Sequence, residues 1–556
     1  MTNREILKKH FGFDSFKDIQ EEVINNLLEG SNSLCLMPTG GGKSIIYQVA
    51  GLQSGKTTIV ISPLLALMKQ QNKRLVEQGI NVLSYNSSIG DLKTQFSKLR
   101  KGFLDKQLPQ FIFVSPEKVL SDGYLEYLLK KHRSKIGLIV IDEAHCISQW
   151  GHTFRPAYKT IPLFIRSIYG ESKKPPVLCL TATLNPNDKH EICTDLNISE
   201  KNIFISKSLI RSNLHLNILE QVENNDQKKE QLIEILDKHK DEKVIVYTHI
   251  KAREYGTREM TEAFKAKGFN CHYFDADMQD NEKLEILEQF ETGLVKIVFA
   301  TSAFGMGIDI PDIRVVVHYL VPESIEQYYQ EVGRAGRDGH EAYGYLLHSD
   351  TNFKVRRDLI KKSLLKLERI KDIFENTIQP TSNTSLALKK KKVEVEANRF
   401  EKIYALSRMD IREDNSEMII FLFLMQNGTI KLHGKGVQFF DCFEDNGSSL
   451  YNLMKDASIN GLVTRIAKKL NKSIEQTNYD IFMMFNQEEI KLSRVPVNVL
   501  NYSVNCQLTD EVIDEIHETL KRRMENRLAN FEKLVSFIRL KSDPIEIITN
   551  HLGITN

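Results

Sequence analysis

Only one tryptophan, Trp150, occurs in 556 residues, and the seven cysteines (Cys35, Cys146, Cys179, Cys193, Cys271, Cys442 and Cys506) contain no CxxC pair. That scatter excludes a disulfide framework and a structural zinc site built on short ligand spacings. Net charge is nearly absent as well, +2 at neutral pH, so any nucleic-acid surface has to come from local patches. Long apolar runs are missing: the longest, Met418 to Met425, falls far short of the roughly 20 residues a helix needs to span a bilayer. The N-terminus, MTNREILKKHFGF, is too polar for a signal peptide. These absences predict a cytoplasmic protein with no membrane partner. Hydrophobic content of 41% and charged content of 27% are those of globular domains, and the length predicts several of them, each with its own core.

The most informative stretch is Asp142 to Tyr158, DEAHCISQWGHTFRPAY, which follows the apolar run Ile136 to Ile141. A short run rich in β-branched residues that ends in two acids predicts a buried parallel strand. It delivers carboxylates to the sheet edge where ligands bind. Phosphoryl transfer needs charge neutralised and a nucleophile aimed in line, so Asp142 is expected to hold Mg²⁺ and Glu143 to orient the attacking water. Beside them Trp150, His152, Phe154 and Arg155 sit in a segment punctuated by Gly and Pro, a composition suited to base stacking and phosphate contact. Upstream, Ser33 to Met37 runs into Pro38-Thr39-Gly40-Gly41-Gly42-Lys43-Ser44 and then a helical pattern. A strand, a Gly-rich loop and a helix start form the context in which backbone N–H groups cradle phosphates. Lys43 is expected to reach the β/γ-phosphates, and Ser44 to ligate Mg²⁺. Met37 stands where the strict P-loop pattern has its first glycine.

These residues resemble RecQ-family DNA helicases of superfamily two, with DEAHCISQWGHTFRP as motif II and the aromatic loop that couples DNA binding to ATP hydrolysis. The resemblance extends from Phe11 to about Asp350. Phe11 to Gln20 is similar to motif 0, which implies that Gln20 reads the adenine edge; Lys17 replaces the family's usual arginine, which weakens the implied ribose or phosphate contact. Ser62 to Gln71 and Ser115 to Lys118 resemble motifs Ia and Ib, strand-end loops that grip single-stranded DNA in the family. Thr181-Ala182-Thr183 resembles motif III, and Thr301 to Asp309 motif V. Phe274-Asp275-Ala276-Asp277-Met278 departs from the family's Tyr-His-Ala-Gly-Leu segment. Gln327 to Gly339, QYYQEVGRAGRDG, resembles motif VI and is expected to begin a helix there, with Arg337 and then Arg334 as the candidates that neutralise phosphate charge from a second lobe.

Strands alternating with helical patterns predict an α/β fold: two RecA-like parallel-sheet domains in tandem, then a mostly helical C-terminal region with a possible winged helix. The expected divisions are 1–206 for the ATP-binding lobe and 207–350 for the second lobe. A helical connector with a flexible Lys-rich linker is expected over 351–410, and a winged-helix-like piece plus a helical hairpin over 411–556; a packing module is the alternative to the winged helix. The resemblance implies an ATP-dependent DNA helicase using ATP and Mg²⁺, moving 3′ to 5′ on single-stranded DNA and opening duplex or branched DNA. Single-strand-binding or recombination proteins are its implied partners. A translocase that does not separate strands and a non-enzymatic DNA-binding scaffold are the rival readings. After motif VI the sequence has only Cys442 and Cys506, and none of its histidines has an HxxxH spacing, so no zinc is expected.

Overall fold

β-Branched and apolar runs form the strands the patterns predict. A seven-stranded parallel sheet contains β1 (Ser33–Leu36), β2 (Thr57–Ile61), β3 (Val82–Tyr85), β4 (Phe111–Val114), β5 (Ile136–Ile141), β6 (Val177–Thr181) and β7 (Ile203–Ile205), in the order β3-β4-β2-β5-β6-β1-β7. Every residue of β1, β2, β4 and β6 is buried, because helices cover both faces of a parallel sheet. A second parallel sheet holds β8 (Leu214–Ile218), β9 (Lys243–Tyr247), β10 (Cys271–Phe274), β11 (Ile297–Ala300), β12 (Ile313–His318) and β13 (Ala342–Leu346), in the order β10-β11-β9-β12-β13-β8. In this computed structural model the described residues are 1–63, 65–86, 92–104, 108–147, 156–170, 172–184, 186–209, 211–250, 255–302, 304, 310–379, 395–397, 401–407, 415–437, 463–490, 498–505, 509–540 and 543–551.

The C-terminal region is helical but also contains a four-stranded antiparallel sheet of β14 (Val395–Ala397), β15 (Glu401–Ser407), β16 (Ile430–Val437) and β17 (Asn498–Val504), in the order β14-β15-β17-β16. Two of these strands fall within the stretch read as a connector, and residues 380–394 of its Lys-rich segment lie outside the described residues. Within the piece read as winged-helix-like, two short helices, Val463–Leu470 and Ile474–Asn486, precede β17. The expected helical hairpin is corrected: Asp510–Arg539 is one continuous 30-residue helix. It contains no Gly or Pro and is rich in Glu, Lys, Arg and Leu, so nothing local turns the chain. Four of the cysteines, Cys35, Cys146, Cys179 and Cys271, are buried in the two lobes. Among the described residues no helix is long and apolar enough to cross a membrane.

Candidate nucleotide site between the lobes

β5, β6 and β1 are neighbours in the first sheet, so the acids, the Thr181-Ala182-Thr183 segment and the Gly-rich loop emerge side by side at one carboxyl edge. The Met37 N–H continues the ladder to the Thr181 carbonyl at 3.0 Å. Gly42 then takes a left-handed φ of 86° and caps the Lys43–Ser54 helix, whose first turn directs its N–H groups and positive dipole end at the loop. The Lys43 ammonium is buried with no hydrogen-bond partner. Ser44, next along the helix, bonds the buried Tyr47 hydroxyl.

Asp142 extends β5, its N–H donating to the Ile61 carbonyl at 2.9 Å. Its carboxylate accepts from the Ser62 hydroxyl at 3.2 Å and the Glu143 N–H at 3.0 Å, and its carbonyl accepts from the Tyr158 hydroxyl at 2.8 Å. Burial and the neighbouring Glu143 charge push the Asp142 carboxyl up to about 6, against the pull of Lys43. Glu143 occupies a left-handed conformation, φ 51°. Burial alone would raise its carboxyl, but Lys43, His145, Arg334 and Arg337 together hold it below the usual carboxylate range. His145 Nδ1 lies 3.3 Å from the Glu143 carboxylate and 3.0 Å from the Thr181 hydroxyl, which in turn donates to the Thr183 carbonyl at 2.9 Å. Motifs II and III are thus joined through a histidine to which the sequence reading assigned no role.

From the second lobe, the Ile325–Val332 helix ends at Gly333. Arg334 and Arg337 therefore follow a helix C-terminus rather than opening a helix, a correction that Gly333, Gly336 and Gly339 explain. Gly336 has φ 63°, and a Cβ there would stand 2.7 Å from both Ala342 and Asn213. Arg211 and Asn213 clamp this turn by donating to the Gly333 and Gly336 carbonyls at 2.6 and 2.8 Å. The turn delivers Arg337 across the cleft. Its side-chain carbons lie about van der Waals distance from the P-loop, 3.5 Å from where a Cβ on Gly40 would be. Arg334 is buried and bonds the Tyr247 hydroxyl.

Other expected residues are placed differently. Gln20 is buried with its amide engaged: its oxygen accepts from the Lys17 N–H at 2.9 Å, and its nitrogen donates to the Gly42 carbonyl at 3.1 Å. Lys17 and Gly40 are exposed, and Thr39 and Gly41 are half-buried on the loop. Lys118 of the motif Ib segment does not face solvent. It is buried, bonds Gln95 and lies over the Tyr85 ring, so its charge is turned into the lobe. Tyr158, the last residue of the Asp142 to Tyr158 stretch, is a fully buried anchor of Asp142. Trp150, His152, Phe154 and Arg155 lie outside the described residues, as does most of the motif V segment.

The DEAD/DEAH box helicase family matches residues 17–192, and the helicase conserved C-terminal domain matches 227–339. Over 363 residues the chain is 37% identical to the ATP-dependent DNA helicase RecQ of Bacillus subtilis, covering 65% of this chain and 58% of that protein. Over 386 residues it is 34% identical to the RecQ helicase of Pasteurella multocida, covering 67% and 58%. The chain belongs to the RecQ family of superfamily two helicases. It spans somewhat under three-fifths of the length of these two RecQ relatives. A crystal structure of the DUF1998 helicase MrfA bound to DNA and AMPPNP matches with a TM-score of 0.51 at 19% identity, over 64% of this chain and 52% of that one, a likeness of fold. Within this RecQ-family chain, the departure at Phe274 to Met278 has a structural account. Asp275 is fully buried and takes two hydrogen bonds from Arg258, at 3.0 and 3.3 Å, so the position holds a salt bridge rather than a histidine.

Proposed function

We propose that the protein is an ATP-dependent DNA helicase that hydrolyses ATP between its two lobes while single-stranded DNA crosses both. One observation carries the reading: the unpartnered Lys43 ammonium, the Asp142 and Glu143 carboxylates and the Arg337 side chain converge on the Gly-rich loop from two separate sheets. An orphaned buried cation, a backbone cradle, a hydroxyl and a carboxylate fit a nucleoside triphosphate with Mg²⁺. Ser44 and Asp142 would hold the metal, which neutralises phosphate charge when bound. Thr39, Gly40, Gly41, Gly42 and Lys43 cradle the phosphates. Gln20 reaches the adenine by exchanging its bonds to the loop, which makes base recognition a signal to the P-loop, and Lys17 lies beside it. Glu143, kept ionised by the surrounding cations, orients water, and Arg337 and then Arg334 stabilise the phosphoryl charge only when the lobes are closed. The His145–Thr181–Thr183 line runs from Glu143 along the sheet edge, and the Thr183 hydroxyl at its end is buried without a partner, available to a group arriving with DNA or phosphate.

The family pattern supports movement from 3′ to 5′, unwinding of branched or tailed duplexes, coupling by Trp150, His152, Phe154 and Arg155, and single-strand-binding or recombination partners, while the polar N-terminus and short apolar runs support a cytoplasmic location. Strand displacement on forked, tailed and blunt duplexes, with ATPase measured alongside, tests the reading. Lys43→Ala is expected to abolish turnover and keep single-strand binding, and Arg337→Ala to slow turnover by about 10³–10⁵. ATP turnover without strand separation would make the protein a translocase. Near-normal ATPase in Lys43→Ala would overturn the site.

A further inference from the structure

β9 and β12 are adjacent strands of the second sheet, and their carboxyl ends carry His249 and His318 side by side. The Ile325–Val332 helix crosses over them and presents Glu331. One ligand atom from each of these three side chains lies within 4.8 Å of the others. His318 Nε2 is 2.7 Å from the Glu331 carboxylate oxygen, and His249 Nε2 is 3.4 Å from the same oxygen. All three side chains are at most 5% exposed.

A hydrogen-bonded pair accounts for His318 and Glu331 but not for His249. Its Nε2 is buried without a well-formed hydrogen bond, and its backbone holds a left-handed φ of 56°, a conformation that costs a non-glycine residue. Tetrahedral ligation with bonds of roughly 2.0–2.1 Å separates ligand atoms by about 3.4 Å, the spacing His249 and Glu331 already have. Two contacts support these side chains, and the His318 Nδ1 is buried without a hydrogen-bond partner. Gln327 donates to the other Glu331 oxygen at 3.0 Å, and the Tyr247 ring stacks on both imidazoles at 5.5 Å. The neighbouring cation Arg356 is bonded elsewhere, to the Val321 carbonyl at 2.8 Å and beside Glu323 at 3.6 Å; Glu323 is itself paired with Arg527.

The geometry points to a buried site for a divalent transition-metal ion, Zn²⁺ or one of similar preference, formed by His249, His318 and Glu331. Two imidazoles and one carboxylate suit such ions and not Mg²⁺ or Ca²⁺, which take oxygen ligands. The expectation of no zinc rested on spacings within the sequence, whereas these ligands come from segments that only the sheet brings together. An ion here ties two strand ends to the helix that leads into Arg334 and Arg337, and so stiffens the base from which the arginines cross the cleft.

The test uses the metal-free full-length protein titrated with Zn²⁺ and, for its visible spectrum, Co²⁺. One ion per chain is expected to bind with the absorption of low-coordinate, nitrogen-ligated cobalt, and to raise the melting temperature. Asp142→Asn, which removes the carboxylate at the nucleotide site, leaves this binding intact. His249→Gln abolishes it while keeping the metal-free melting temperature. Gln327→Ala, which removes no ligand, weakens it about 10–100-fold and serves if His249→Gln fails to fold. Absence of any Zn²⁺ or Co²⁺ binding to the unaltered protein would overturn the inference. So would binding that persists unchanged in both the His249 and Gln327 variants, or that disappears in Asp142→Asn.

Discussion

Gly42 shows how closely the nucleotide site depends on a missing side chain. Its φ of 86° is costly for any L-residue, by roughly 1–2 kcal/mol, and an added Cβ would stand 2.6 Å from the Gln20 amide nitrogen. The same small space therefore sets the loop conformation and the contact between motif 0 and the P-loop. Gly42→Ala is expected to weaken ATP binding by at least tenfold and to leave single-strand binding near its original level, as measured by nucleotide titration and DNA anisotropy. Unaltered nucleotide affinity would mean that Gln20 and the loop are not mechanically linked. Cations decide the ionisation of the paired acids in the same site. Glu143 faces Lys43, His145, Arg334 and Arg337 and stays below the usual carboxylate range, while Asp142, more dominated by burial, rises to about 6.

Single elements dock the C-terminal region onto both lobes. The Asp510–Arg539 helix is about 45 Å long at 1.5 Å per residue. Ile513 and Ile516 near its start lie in the core of the antiparallel sheet, whereas Phe531, Leu534, Val535, Phe537 and Ile538 near its end lie in the core of the second lobe. Strand β16 makes the other attachment by running past the first turn of the Gly123–Lys131 helix in the first lobe. A Cβ on Gly123 would meet the Lys435 backbone oxygen at 2.5 Å, so only glycine allows the approach. Two effects compete in Gly123→Ala. Helix propensity favours alanine by roughly 0.5–1 kcal/mol, and overpacking costs about 1–3 kcal/mol. The clash is with backbone, which cannot step aside as a side-chain tip would, and so a net loss of thermal stability is expected, with faster proteolysis around β16. A rise in melting temperature would show that β16 does not pack there.

At the scale of the whole molecule, one C-terminal module packs against both lobes. Phe482 and Phe485 join the core of the first lobe, and Tyr124 donates to Asn486 across the junction. The polar centre of this contact is Glu126, 2.8 Å from Lys435 of β16 and 3.0 Å from Lys130. Burial would raise the Glu126 carboxyl, but the two lysines outweigh it and hold it down at about 2. Because the folded value lies below the unfolded one, near 4.3, this pair contributes its full stability above that pH and loses it as pH falls toward 2. Melting temperature is therefore expected to fall more steeply between pH 5 and 2, on the order of the window set by these values, in the unaltered protein than in Glu126→Gln. At neutral pH the variant leaves Lys435 buried without its counter-charge, a loss of about 3–5 kcal/mol. Parallel pH profiles for the two proteins would mean that Glu126 carries no such coupling.

Within the two lobes the sequence by itself determined most of the elements and their order, whereas beyond residue 350 it missed two strands and read one long helix as a hairpin. Runs such as Thr57 to Ile61 and Ile136 to Ile141 favour buried strands, and a glycine loop between a strand and a helix start permits the left-handed backbone that Gly40 and Gly42 adopt, because these preferences act between neighbours in the chain. The two sheets, the phosphate loop and the pair of acids were legible for that reason. Tertiary structure decided which side chains meet. It placed Arg334 and Arg337 beyond a helix end instead of within a helix, turned Lys118 inward, and made Tyr158 an anchor of Asp142. It also set His145 between two motifs and gathered His249, His318 and Glu331 from three segments. Strand order and lobe closure fix these contacts, and both depend on packing between residues far apart in sequence, where local periodicity carries no information.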